Sequence, residues 1–195
     1  NHIHHINNKQ NLAGAEIGGI KMHAAIDVII RRNNIHDCTR GLWLDWQAQG
    51  TRVTQNFFYN NTLPNPYNVN PQNTIGTGED IFVEVSHGPT LIDNNVLLSD
   101  CALRLSSQGM AIVHNLIAGS LTAVGQGVNN GTLKTISPRY TPYHMIHRTE
   151  IAGFMTILHG DVRFLNNIFV QKEIREGMPE LAQEYAKGGW SDLNI

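Results

Sequence analysis

An in-phase repeat constrains the fold of this chain more than any other feature. Its pattern is an asparagine, any residue, and then a large apolar residue. The copies begin at Asn1, Asn33, Asn56, Asn94, Asn115 and Asn166, and in four of them a glycine lies six residues earlier, at Gly50, Gly88, Gly109 and Gly160. The tightest spacings are 23 and 21 residues, and those of 32, 38 and 51 indicate the same unit with loops inserted. Such a period is typical of a solenoid, whose units bury their apolar faces only by stacking.

The content of each repeat selects among solenoids. Segments such as Val53-Thr-Gln55 and Ala111-Ile-Val-His114 are short, rich in β-branched residues and bounded by turn-forming Gly, Asn and Asp. The repeats lack helical periodicity and the leucine ladder of leucine-rich repeats. We therefore predict an all-β chain folded as a parallel β-helix. In that fold the asparagines of successive turns bond to each other and to the backbone.

The length of 195 residues fits a single domain. Because the first residues already belong to a repeat, we expect residues 1–195 to form one β-helix domain that is a piece of a longer protein. Inserted loops are predicted at residues 7–19, 62–78 and 120–150. A short helix from Pro179 to Lys187 is predicted to cap the open end.

Composition limits the partners of the chain. The formal net charge of −2 and the 15% share of charged residues argue against a nucleic-acid or membrane-surface partner. The repeats place Cys38 and Cys101 two strands apart, roughly 10 Å, which is too far for a disulfide. We expect two thiols, which favours a reducing compartment such as the cytoplasm. A homo-oligomer stays open.

Two alternating segments, Gly41–Trp46 and Asp80–Val85, each carry one carboxylate two residues after an aromatic residue. Asp45 lies 11 residues before Asn56, and Glu84 lies 10 before Asn94. On the next coil Arg104 lies 11 residues before Asn115. We expect the two acids and Arg104 to form a line up the outer wall.

Strand alternation predicts which side chains face the core. The inward set is Leu44, Trp46, Val83, Val85, Leu103 and Leu105, and the outward set is Trp43, Asp45, Phe82, Glu84, Ala102 and Arg104. Stacked positions bring the acids about 5 Å apart, as retaining glycosidases require, whereas inverting enzymes need roughly 6.5–9.5 Å. Trp43 and Phe82 would offer apolar faces to a sugar ring.

The roles of the two acids stay open at this point. Arg104 beside Glu84 would depress its pKa and oppose a role as proton donor. Lys21 and His23, on the preceding coil, would keep Asp45 ionised. These contacts leave the assignment of nucleophile and acid undecided.

Other interpretations of the same residues exist. The acids and Arg104 would also fit an exposed ion-pair ladder on a non-catalytic carbohydrate-binding protein. A polysaccharide lyase would instead use the acids to bind calcium, with Arg104 or Lys21 as the base.

Histidines are the remaining candidates. His2, His4 and His5 with His36 were weighed as metal ligands, but no spacing matches a zinc motif, so we expect neither a metal nor a cofactor. His87, three residues after Glu84, would contact substrate or bond to backbone. His144 and His147, in the loop at 120–150, are candidates to cover the cleft.

The motifs around the acids resemble glycoside hydrolase family 120. The similar segments are Gly41–Trp46, Gln49–Arg52, Asp80–Pro89, Asp93–Asn95 and Tyr140–His144. The resemblance implies a retaining β-xylosidase on a right-handed, pectate-lyase-like parallel β-helix that cleaves xylo-oligosaccharides. It also implies that Asp45 is the nucleophile and Glu84 the general acid/base. Family members are longer and carry an extra β-sandwich domain, and Ser86 stands where an asparagine is expected.

Overall fold

A computed structural model describes residues 1–7, 16–62, 78–123, 139–157 and 160–170. All regular structure in these residues is β, and none of them forms a helix long and apolar enough to cross a membrane. Most of the three predicted loops and the whole predicted helix at 179–187 lie outside the described residues.

Three parallel sheets contain sixteen of the strands in the described residues. The first has the order β1 (His2–His4), β4 (Asn34–His36), β7 (Phe57–Tyr59), β10 (Val96–Leu97), β13 (Leu116–Ile117), β18 (Ile168–Phe169). The second runs β14 (Ser120–Ala123), β11 (Cys101–Ser106), β8 (Glu79–Glu84), β5 (Leu42–Asp45), β2 (Ile20–Met22). The third runs β17 (Val162–Leu165), β12 (Met110–Val113), β9 (Thr90–Asp93), β6 (Thr51–Thr54), β3 (Ile29–Arg31).

The chain visits these sheets in rotation, so each pass, here called a coil, adds one strand to each sheet. Every neighbouring pair within the three sheets is parallel, for example β5 with β8 and β6 with β9. One antiparallel hairpin, β15 (Tyr140–His144) and β16 (Ile151–Thr156), interrupts the rotation between β14 and β17. The all-β, parallel-sheet class predicted from the repeat is confirmed.

The core lies between the sheets and is built from one apolar position per strand and coil. Fully buried members include Ile35, Phe58, Leu97 and Ile117 of the first sheet, Leu42, Leu44, Ile81 and Val83 of the second, and Val53, Ile92 and Ile112 of the third. Each such side chain contributes about 1.5–3 kcal/mol relative to exposure. Cys38 and Cys101 are also buried and form no disulfide, as expected.

The prediction that Trp46 faces the core is wrong. Trp46 and Val85 have φ angles of 47° and 49° and therefore turn the chain after β5 and β8 instead of extending the alternation. Trp46 is half-buried, and the Arg139 guanidinium carbon lies 4.9 Å from its ring centroid. Val85 is buried, but it lies outside the main core cluster.

An asparagine ladder stacks along the coils, as predicted, but with two members shifted by one residue. Its members are Asn1, Asn33, Asn56, Asn95, Asn115 and Asn167, joined by side-chain hydrogen bonds of 2.8–3.0 Å. Asn94 and Asn166, which the repeat pattern selected, precede the ladder and both have φ 54°. Asparagine tolerates this left-handed conformation well, so a second asparagine there mimics the pattern.

Candidate active site

The two acids lie side by side on adjacent parallel strands. In the register of β5 with β8, Trp43 pairs with Phe82 and Asp45 pairs with Glu84. The Trp43 and Phe82 rings stack with centroids 5.4 Å apart and planes 27° apart. The register predicted from the sequence is therefore found in the structure.

Arg104 does not continue the line of acids. Its register partner is Phe82, and the residue beside Glu84 is Ser106. The cause is turn length, because Thr90 pairs with Met110, so the turn after Ser106 is two residues shorter than the turn after Glu84. The Arg104 guanidinium carbon lies 4.6 Å from the Phe82 ring centroid.

The aromatic pair is covered instead of open. Trp43 and Phe82 are each only 2% exposed. Lys21 Nζ and the Arg40 guanidinium carbon each lie 4.5 Å from the Trp43 ring centroid. The predicted role of these rings as an open platform for sugar does not fit this burial, and the pair serves as a rigid base beside the acids.

Asp45 is oriented by the two residues predicted to keep it ionised. Lys21 Nζ donates to Asp45 Oδ2 at 2.6 Å, and His23 Nε2 lies 3.2 Å from the same oxygen. Asp45 is 3% exposed, and its other oxygen, Oδ1, is buried with no hydrogen-bond partner among the described residues. One carboxylate oxygen is thus held and the other is left available.

Glu84 differs from Asp45 in its protonation. Burial, followed by the negative charge of Asp45, raises the pKa of Glu84 to about 7, against the opposing effects of Arg104, Arg139 and Arg40. The expectation that Arg104 would depress this pKa is wrong in its net sign, since desolvation and the neighbouring acid outweigh the arginines. Near neutral pH, Glu84 can therefore both donate and accept a proton.

A buried ion-pair network under the aromatic pair was not predicted. Arg40 is fully buried, and its Nε donates to Glu79 Oε2 at 2.8 Å. Arg104 Nη1 donates to the other oxygen of Glu79 at 3.3 Å. Although burial by itself raises the pKa of Glu79, the two arginines hold it below its ordinary value. A clue in the sequence was the presence of a charged residue directly before each of the two acid-bearing segments.

The antiparallel hairpin docks beside this wall through the two predicted histidines. His87 Nε2 lies 2.9 Å from Thr141 Oγ1, and its Nδ1 lies 3.2 Å from Gln108 Nε2. Burial lowers the pKa of His87. Of the two predicted roles of His87, bonding to protein groups is the one observed.

His144 is likewise engaged on both ring nitrogens. Its Nδ1 lies 2.9 Å from the Thr149 carbonyl oxygen, and its Nε2 lies 3.1 Å from Gln47 Oε1. Gln49 clamps the backbone of His144 from both sides, at 2.8 and 3.0 Å. His147 lies farther along and contacts Asp27 at 2.8 Å. These contacts hold the hairpin against the turn that follows Asp45.

Among the described residues, one cluster near the acids offers three ligand atoms to a cation. Side-chain atoms of Glu16, His23 and Asp45 lie within 4.8 Å of one another. Lys21 Nζ contacts both carboxylates, however, and neutralises them where an ion would bind. The cluster therefore functions as an ion-pair network around Lys21.

A solved structure described as the complex of XylC with xylose is similar to this chain in both sequence and fold. The two chains are 48% identical with a TM-score of 0.71, and the match covers 90% of this chain. It covers 24% of the XylC chain, so this chain spans about a quarter of that protein's length. No protein-family model and no curated protein matches the chain.

Proposed function

We propose that this chain carries the acid pair of a retaining β-xylosidase of the glycoside hydrolase family 120 type. The observation that carries the proposal is the direct register of Asp45 beside Glu84. Similarity to a protein whose structure is described as a xylose complex supports a xylose-containing substrate. A small xylo-oligosaccharide is the proposed partner.

The proposed fold is a right-handed parallel β-helix. Support comes from the rotation of the chain through three parallel sheets. Crossover connections between parallel strands are right-handed in about 98% of cases. In such a coil the outward side chains of one sheet form a continuous wall, which is where both acids are proposed to meet the sugar.

In the first step Asp45 Oδ1 attacks the anomeric carbon while Glu84 donates its proton to the leaving oxygen. The bond between the anomeric carbon and that oxygen breaks, and a covalent glycosyl ester of Asp45 forms. Lys21 holds Oδ2 and thus orients the attacking oxygen. A pKa of about 7 keeps much of Glu84 protonated for this step at neutral pH.

In the second step Glu84, now ionised, takes a proton from water, which attacks the anomeric carbon and releases Asp45. Esterification of Asp45 removes the charge that helps to raise the pKa of Glu84. The ionised form of Glu84 is then favoured when it must act as a base. Neighbouring strands lie about 4.8 Å apart, which suits the roughly 5–5.5 Å carboxyl separation of retaining enzymes.

The lyase alternative has weaker support. A lyase needs a cation with a free base beside it, and the two candidate bases are both engaged in ion pairs. Lys21 contacts Asp45 and Glu16, and Arg104 contacts Glu79. Activity in the presence of a chelator would exclude a calcium-dependent lyase.

The test uses the separate variants Asp45→Ala and Glu84→Ala with an aryl β-xyloside. Both should lose hydrolysis, and azide should partly restore turnover by Glu84→Ala with a β-xylosyl azide as product. The exposed Glu150 offers a matched control, since Glu150→Ala removes a carboxylate far from the acid pair in sequence. Full hydrolysis by either acid variant, or an α-azide product, would refute the assignment.

A further inference from the structure

A cluster of imidazoles lies on the first sheet, away from the acid pair on the second. His2 and His4 share one face of β1, since they are two residues apart on a strand. In the register of β1 with β4, His4 pairs with His36. Two neighbouring strands therefore present three imidazoles on one face. The sequence spacing did not reveal this, because the third histidine comes from the next coil.

The three rings are in mutual contact. The centroid of His4 lies 4.4 Å from that of His2 and 5.2 Å from that of His36, and the His4 and His36 planes are 4° apart. His2 Nε2 and His36 Nε2 are only 2.6 Å apart. This distance is shorter than an ordinary hydrogen bond from a ring nitrogen, which is about 2.7–3.2 Å. Two nitrogens thus converge on one point.

Asp37 fixes the direction of the buried member of the cluster. Its Oδ2 accepts a short hydrogen bond from His36 Nδ1, so the proton of a neutral His36 lies on Nδ1 and the lone pair of Nε2 faces His2. A carboxylate behind a ligating histidine is the usual orienting contact in metal sites. Tyr59 stacks on the His36 ring with centroids 4.4 Å apart, which further restricts its rotation.

We propose that His2, His4 and His36 form a binding site for a divalent transition-metal ion such as Zn²⁺, with Asp37 as the orienting residue. Three imidazoles are a donor set that zinc takes in proteins, and a water molecule completes the tetrahedron. Ligand nitrogens at about 2.0–2.1 Å from zinc lie roughly 3.3 Å from one another. The His2 and His36 nitrogens would separate by less than about 1 Å to accept the ion.

His5 lies at the edge of the same cluster. Its Nδ1 is 2.6 Å from Nδ1 of His4, and its ring centroid is 6.2 Å from that of His36. His2, His4 and His5 are exposed, so the site opens to solvent and an ion can enter without unfolding. His36 is 8% exposed and anchors the site to the wall.

The test is a titration of the chelator-treated chain with Zn²⁺, followed by calorimetry and by competition with a chromophoric chelator. One ion should bind per chain. His2→Ala and His36→Ala should each weaken binding at least tenfold, and Asp37→Asn should weaken it about 10–100-fold, as loss of an orienting contact does. The control is His147→Ala, which removes an imidazole that also contacts a carboxylate, that of Asp27; it should bind zinc like the parent chain.

His2→Ala keeps the test decisive if His36→Ala fails to fold, since His2 is exposed. Circular dichroism of each variant checks the fold. Absence of stoichiometric binding by the parent chain would overturn the proposal. So would equal affinity in His2→Ala and His147→Ala, because the ion would then occupy another site.

Discussion

Replacing Glu84 with glutamine should change how the stability of the chain depends on pH. Burial and the charge of Asp45 raise the pKa of Glu84 from 4.5 to about 7. Between these two values the folded state binds a proton that the unfolded state has lost. The free energy of unfolding is therefore fully supported by this group below pH 4.5 and falls as the pH rises through 7.

The magnitude follows from the two pKa values. Each pH unit between them corresponds to about 1.4 kcal/mol. The rise from 4.5 to about 7 gives a loss of about 3 kcal/mol in the free energy of unfolding between pH 4.5 and pH 8. Glutamine keeps the shape of the side chain but cannot ionise, so the difference in stability between variant and parent should grow in favour of the variant by that amount.

The assay is urea unfolding of both proteins at several pH values from 4.5 to 8, followed by tryptophan fluorescence. Other titrating groups are common to the two chains and cancel in the difference. Glu150→Gln serves as the control, because Glu150 is exposed and contacts only the side chain of Arg148, at 4.0 Å. Parallel stability curves for Glu84→Gln and the parent chain would refute the proposed burial of a carboxylate beside Asp45.

Three other perturbations test the same wall. Lys21→Met should lower kcat on an aryl xyloside at least tenfold with a smaller change in KM, because Asp45 loses the donor that orients it; an unchanged kcat would argue against this role. Asp45→Asn should lower the pKa of Glu84, measured by NMR of ¹³C-labelled glutamate, since one of its two causes disappears; a pKa still near 7 would assign the whole effect to burial. Arg40→Met should destabilise the chain by about 3–5 kcal/mol in urea unfolding by leaving Glu79 buried and poorly paired; a loss below about 1 kcal/mol would contradict the ion pair.

The pairing of the two acids was predictable because the local chain geometry repeats. The turns from Asp45 to Thr51 and from Glu84 to Thr90 have the same length, and the two strands on either side pair in one register. Counting residues from a repeat position is therefore valid across these two coils. Alternation then places both acids on the same face.

The position of Arg104 could not be predicted by the same counting. The turn after Ser106 is shorter by two residues than the turn after Glu84, and two residues move a side chain by one full step along the same face. Arg104 therefore keeps its outward direction but lies beside Phe82. Turn length is set by local backbone conformation, which an asparagine-based count does not detect.

Burial of the outer wall was also beyond a pattern of alternating residues. Alternation predicts that Trp43 and Phe82 face outward, and it gives no sign that cations and a docked hairpin cover that wall. The long sequence separation of these contacts is the reason. Gln49 and His144, for example, are bonded across 95 residues. The raised pKa of Glu84 depends on such burial and was therefore not predictable from its neighbours in sequence.

The shift of the asparagine ladder by one residue gives a final prediction that separates the two assignments. Asn95 accepts hydrogen bonds from the backbone and the side chain of Asn56, each at 3.0 Å, and donates to Val53 and Asn115 at 2.9 and 3.0 Å. Asn95→Ala leaves buried polar groups without partners, at about 1–3 kcal/mol each, so we expect a loss of several kcal/mol in urea unfolding. Asn94→Gly keeps the left-handed backbone and removes only an exposed side chain, so its effect should stay within about 0.5 kcal/mol. The opposite ranking would restore Asn94 to the ladder. It would also shift Glu84 by one residue relative to Asp45, which would place the two acids on opposite faces of the sheet.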